Sequence, residues 1–159
     1  MEQYDAVFGA VRAAIDREPD GQRAMEQTVR ILKQGVRDYT WVGIYLLHGN
    51  ELVLGPYEGK PSPHTRIPLG RGICGAAAAE KATIVVDDVN ADPRYLACST
   101  ETRSEIVVPI MRGGDVLGEI DVDSDRPAAF GAADRELLES IASLLATRLQ
   151  TVGSVRPDR

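Results

Sequence analysis

Apolar residues recur at helical spacing near the start of the chain. Val7, Val11 and Ile15 stand four apart with Phe8 beside them, which predicts an amphipathic helix from Gln3 to Ile15. The segment Asp16 to Gly21, with Pro19, ends it, and Met25, Val29 and Leu32 predict a second helix from about Gln22 to Lys33 with Gly35 as its stop. From Tyr39 the period shortens. Trp41 to Leu47 is rich in aromatic and β-branched residues, and His48-Gly49-Asn50 turns it into Glu51 to Leu54, a hairpin. Gly55 to Pro68 holds four prolines and two glycines and reads as a long loop. Ala76 to Ala82 predicts a short helix, Thr83 to Val86 a strand, and Asp87 to Cys98 an irregular stretch with a turn at Asp92-Pro93. Ser104 to Met111 and Val116 to Asp123 form a second hairpin about Arg112-Gly113-Gly114, and a last helix runs from Ala132 to about Leu149. This order predicts an α/β fold of the α+β kind, a mostly antiparallel sheet flanked by helices rather than regular βαβ units.

Within the second hairpin the outgoing strand alternates, so Glu119, Asp121 and Asp123 share one face while Ile120 and Val122 share the other. If the hairpin closes at Gly113-Gly114, Glu105 stands at about the level of Asp121 to Asp123. Like charges so placed cost stability unless a cation lies among them, and a bound ammonium would serve. The alternative is a solvated face with Arg103 or Arg126 as partners. Trp41 and Tyr45, four apart, lie on one face of their strand and serve either as core or as walls of a pocket.

A chain of 159 residues supports one substantial core, so a single domain over residues 1–152 is expected, with 153–159 as a flexible tail. Its 18 basic and 24 acidic residues leave a net charge of −6, which disfavours nucleic acid as a partner. No apolar run approaches the roughly 18 residues that span a bilayer, and no targeting segment opens the chain, so no membrane role and a cytoplasmic location are expected. Two cysteines are too few for a stapling framework and read as free thiols or a reversible pair in a reducing compartment.

Those two thiols focus the chemistry. Cys98 lies in the polar loop Tyr95-Leu96-Ala97-Cys98-Ser99-Thr100, where a reactive thiol would be accessible, although free cysteines are also often small buried hydrophobes. Cys74 lies in a glycine-rich turn at the start of a helix, a place that suits either a stabilised thiolate or a small side chain in a tight bend. A closed zinc site wants four cysteine or histidine ligands, so no metal is expected. His48 and His64, in a turn and a loop, are expected to be exposed and outside any triad. Gly70-x-Gly72-x-x-Gly75 has dinucleotide-fingerprint spacing but lacks the βαβ context.

Taken together, Trp41-x-Gly43-x-Tyr45, Leu54-Gly55-Pro56-Tyr57-x-Gly59-Lys60, Ile67-Pro68-Leu69-Gly70-x-Gly72-Ile73-Cys74-Gly75, Ala97-Cys98, Ser104 to Pro109 and Ile120-Asp121-x-Asp123-Ser124 resemble the free methionine-R-sulfoxide reductases, a branch of the GAF-domain family. The resemblance runs from about residue 3 to residue 149. It implies a GAF-like fold with a sheet of about six strands, and reduction of free methionine-R-sulfoxide without a bound cofactor. It further implies that Cys98 attacks the sulfoxide sulfur, that a second cysteine resolves the sulfenic acid, and that thioredoxin or a similar dithiol reduces the disulfide. Glu105, Asp121, Asp123, Trp41 and Tyr45 match the family's substrate pocket, and Cys74 matches one of its cysteine positions. Many members carry a further cysteine before the Arg-Ile-Pro stretch; here the loop is Lys60-Pro61-Ser62-Pro63-His64-Thr65-Arg66, which leaves Cys74 or an external thiol to resolve Cys98, or a pocket kept without efficient turnover. A GAF small-molecule sensor is the non-enzymatic alternative, and the terminal helices offer a surface for a homodimer.

Overall fold

The computed structural model describes residues 2–97 and 100–153. Helices α1 (Glu2–Arg17) and α2 (Gly21–Gly35) precede strands β1 (Trp41–His48), β2 (Glu51–Glu58) and β3 (Arg66–Pro68). Helix α3 (Gly72–Glu80), β4 (Ile84–Val86), a single 3₁₀ turn over Val89–Ala91, β5 (Ser104–Arg112), β6 (Asp115–Ser124) and α4 (Ala132–Gly153) follow. The strands form one six-stranded sheet in the order β3-β2-β1-β6-β5-β4, every neighbouring pair antiparallel. The expected fold class is therefore the observed one.

Period-two alternation sorts the sheet into two faces. Val42 and Ile44 of β1, Ile106, Val108 and Ile110 of β5, and Ile120 and Val122 of β6 pack against the apolar stripes of α1, α2 and α4. Trp41, Tyr45 and Val107 point the other way and pack with Ile73, Cys74, Ala77 and Ala78 of α3. Asp20 caps α2 by accepting from the Arg23 amide at 3.0 Å. Asp134, in the first turn of α4, accepts from the Gly131 amide and from the hydroxyls of Tyr4 and Tyr39, tying α4 to α1 and to the lead into β1. Helix α4 is observed to Gly153, so the tail expected at 153–159 lies, beyond that residue, outside the described part of the chain.

The reading of Gly55 to Pro68 as one loop is corrected. β2 continues through Gly55-Pro56-Tyr57 to Glu58, and Arg66 to Pro68 return as the edge strand β3. Proline cannot donate to a ladder, but the β1–β2 register slips between Gly43 and Tyr45, and Pro56 falls within that irregularity. Only Glu51 to Val53 pair with β3, so the second half of β2 borders an open loop over residues 59–65. The glycine run before α3 is likewise a packing device. A side chain at Gly75 would strike the Pro68 carbonyl at 2.7 Å, and Gly72 has a φ of +69° with Leu96 against it.

Candidate active site

Strand β6 lies between β1 and β5 and carries three carboxylates on the face covered by α3. Asp121 stands opposite Gly43 on β1 and Val107 on β5, Asp123 opposite Trp41 and Glu105, and Glu119 opposite Tyr45 and Pro109. The register inferred from the glycine turn thus places Glu105 directly across from Asp123. Glu119 is fully buried, and Asp121, Asp123 and Glu105 are 3%, 4% and 5% exposed, so the solvated-face alternative does not hold. Arg126 instead pairs with Asp38 at 2.5 Å.

This layer is electrostatically costly. Both oxygens of Glu119, Oδ1 of Asp121 and Oδ1 of Asp123 are buried without a hydrogen-bond partner. Burial pushes the Glu119 and Asp123 carboxyls well above the ordinary range, and the charge of Asp121 pushes both further. Burial also raises Asp121, with hydrogen bonds to Glu105 and the Cys74 thiol offsetting part of the shift. Cys74 lies in the first turn of α3, buried above the layer. Burial, followed by the charges of Asp121, Glu119 and Glu105, holds its thiol protonated. The arrangement favours the protonated forms of these groups beside a cleft.

Two adjoining clefts open onto the layer. One, of about 80 Å³, is lined by Trp41, Lys60, Ser62, Glu101, Thr102 and Asp123 among others. The other, of about 20 Å³, is lined by Tyr45, His64, Cys74, Leu96, Glu105 and Asp121 among others. The loop over residues 59–65 contributes to both and is held from beneath. Trp41 Nε1 donates to the Lys60 carbonyl and the Tyr45 hydroxyl to the His64 carbonyl, each at 2.8 Å. The side chains of the same two residues reach across to the following loop: Lys60 Nζ lies 2.7 Å from Glu101 Oε1, and His64 Nε2 lies 3.0 Å from the Ala97 carbonyl. Trp41 also stacks on Tyr57 with ring centroids 5.7 Å apart.

Of the residues singled out from the sequence, Glu105, Asp121, Asp123, Trp41, Tyr45 and Cys74 fall on this one face of the sheet. Cys98 lies outside the described residues. Its chain neighbours bracket the site: Leu96 lines the smaller cleft, and Glu101 and Thr102 the larger. Two further residues join the site. Glu119, which alternation already places on the face of Asp121, is fully buried beside it. His64, expected to be exposed, is half-buried against the cleft, and nothing local in its proline-rich loop indicates that.

An antiparallel six-stranded sheet with three helices on one face and a thiol–carboxylate layer under a fourth on the other defines a GAF domain built around a small polar site. The GAF-domain family model matches residues 20–149. The free methionine-R-sulfoxide reductase of Neisseria meningitidis, solved with its substrate, is 39% identical and superimposes with a TM-score of 0.88 over 92% of this chain and 88% of that one. The type II free methionine-R-sulfoxide reductase of Thermoplasma acidophilum is also 39% identical, with a TM-score of 0.80 over 82% and 93% of the two chains. The Saccharomyces cerevisiae free methionine-R-sulfoxide reductase is 44% identical over 112 residues, 68% of this chain and 62% of that protein. The chain belongs to the free methionine-R-sulfoxide reductases, a branch of the GAF-domain family.

Proposed function

We propose that the protein reduces free L-methionine-R-sulfoxide to methionine, with Cys98 as the attacking thiol. The observation that carries this reading is the buried layer of Glu105, Asp121 and Asp123 beneath clefts walled by Trp41 and Tyr45, with Oδ1 of both aspartates unpartnered. The Cys98 thiolate attacks the sulfoxide sulfur, the sulfoxide oxygen takes a proton from a carboxyl of the layer, and the new S–S bond and the S–O bond both break as the hydroxyl passes to Cys98. Methionine leaves, and Cys98 is left as a sulfenic acid. A carboxyl whose burial and neighbours favour its protonated form is suited to that donation, and an ionised neighbour attracts the ammonium of a free amino acid.

A thiol then condenses with the sulfenic acid, releasing water and forming a disulfide that thioredoxin or a similar dithiol reduces. Cys74 is the resolving thiol on the first reading. Its burial and raised pKa favour a second, in which the external dithiol attacks the Cys98 sulfenic acid directly. Residues 1–152 act as one domain in a reducing compartment, the cytoplasm, and the outer surface of α1 and α4 is the candidate for a homodimer contact. Among the described residues no helix is long and apolar enough to cross a membrane.

Purified protein given free L-methionine-R-sulfoxide, thioredoxin, thioredoxin reductase and NADPH is expected to form methionine, and the S epimer is expected to be left intact. No methionine above background, with dithiothreitol in place of thioredoxin as well, overturns the assignment. Cys74→Ser separates the two resolving routes: lost turnover with thioredoxin supports Cys74, and retained turnover supports direct attack.

His64 acts in this reading as a positioning residue, since it bonds to Ala97, the neighbour of Cys98. One hydrogen bond contributes about 0.5–1.5 kcal/mol, so His64→Ala is expected to lower kcat roughly two- to twelvefold with the melting temperature lowered by no more than about 6 °C. His64→Gln, which keeps a donor, is expected to restore most of the rate. Equal kcat in His64→Ala and the parent removes that role.

A further inference from the structure

Cys74 Sγ, a carboxylate oxygen of Glu105 and a carboxylate oxygen of Asp121 lie within 4.8 Å of one another, all on buried residues. They come from α3, β5 and β6, so packing of the whole domain brings a soft sulfur and two hard oxygens to one point. Zinc bonds thiolate at about 2.3 Å and carboxylate at about 2.0–2.2 Å, and in a tetrahedral site its ligand atoms therefore stand roughly 3.5 Å apart. The cluster reaches that spacing by side-chain movements of at most about 1.3 Å.

A second observation points the same way. Asp121 is 3% exposed with Oδ1 unpartnered, and beside it the fully buried Glu119 has both oxygens unpartnered. The hydrogen-bond donor beside them is the Cys74 thiol, whose proton a cation would displace. Among the described residues no lysine or arginine lines the smaller cleft, whose roughly 20 Å³ holds about one water. Three protein ligands and a water make the coordination of an open zinc site, with Glu119 as an alternative fourth donor. Counting only cysteines and histidines along the chain conceals such a site, because two of its three ligands are strand carboxylates.

We propose that Cys74, Glu105 and Asp121 bind a divalent cation of the zinc class, and that the bound ion closes the smaller cleft to substrate. The binding stands apart from the proposed activity; the closure rests on it. On binding, the Cys74 S–H bond breaks and its proton passes to buffer with any held by Glu105 or Asp121, while metal–sulfur and metal–oxygen bonds form with no change of oxidation state. The thiolate selects zinc, cobalt or copper(I) over magnesium and calcium, which prefer oxygen alone.

Cobalt(II) is the direct probe, since its bond to a thiolate gives a near-ultraviolet charge-transfer band. Titration of the reduced protein is expected to develop that band at one cobalt per chain, with displacement by zinc and none by magnesium. The band is expected to persist in Cys98→Ser and vanish in Cys74→Ser, and Asp121→Asn is expected to weaken cobalt binding at least about tenfold. Circular dichroism establishes that each variant is folded, and Asp121→Asn keeps the test decisive if Cys74→Ser is not. No band in the parent, a band lost in Cys98→Ser, or a band and affinity unchanged in Asp121→Asn overturns the site. In the activity assay zinc is expected to suppress methionine formation and a chelator to restore it. A cobalt band without methionine formation in metal-free buffer leaves the site standing and removes the reductase reading; methionine formation without a band does the reverse.

Discussion

Cys98→Ser is expected to bring methionine formation below about one-thousandth of the parent rate, with dithiothreitol as well as with thioredoxin. Sulfur is the atom that must both attack the sulfoxide and accept its oxygen. A serine hydroxyl is a far weaker nucleophile near neutral pH and has no counterpart to the sulfenic acid, so no later step can compensate. The variant is expected to fold like the parent and to bind the amino acid still, because the carboxylates and aromatics of the pocket are untouched. Initial rates give the first measurement, and labelling with a sulfenic-acid reagent after one exposure to substrate gives the second. The label is expected on the parent and absent from the variant. A variant retaining a tenth of the rate places the attacking thiol elsewhere, and Cys74 is then the remaining sulfur nucleophile in the chain.

Asp121→Asn is expected to move activity and stability in opposite directions. Asp121 touches the electrostatics of the whole layer: its charge raises the pKa of Cys74, of Glu119 and of Asp123. Losing a carboxyl that gives or relays a proton costs about a hundredfold or more in kcat. The amide also removes repulsion and can donate to the oxygens that lack partners, a change on the order of 1–3 kcal/mol in favour of the fold at neutral pH.

The sign follows from linkage. A carboxyl raised above its ordinary 3.8 binds its proton more tightly when folded, so the native state holds more protons above that pH. Parental stability from this group is therefore greatest below pH 3.8 and declines as pH rises towards the folded-state value. Urea unfolding in chelated buffer at acid and neutral pH is expected to show the variant's advantage at neutral pH and little of it near pH 4. A variant less stable than the parent at neutral pH contradicts the description of the layer as strained.

Much of this layer was legible before folding was considered. The alternation Glu119, Ile120, Asp121, Val122, Asp123 separates two faces because a strand reverses side-chain direction at every residue, and the glycine turn sets the register that puts Glu105 across from Asp123. The helices were legible for the same kind of reason, since α1, α2 and α4 each carry a long apolar stripe. β2 was cut short because Gly55-Pro56 reads as a strand breaker, whereas the irregular register against β1 absorbs the proline. His64 gave no signal, because its relation to Ala97 depends on two loops 33 residues apart.

Periodicity and turn chemistry, then, were sufficient for the antiparallel sheet, its helices and the acidic face of β6, since these depend on neighbours close along the chain. Burial was not readable there. Whether four carboxyl groups meet water or α3 depends on which layer covers the sheet, and that is a long-range packing outcome. The same packing brings Cys74 onto Glu105 and Asp121 and suspends the loop over residues 59–65 from Trp41 and Tyr45, converting a charged strand face into a proton-holding floor beneath a cleft.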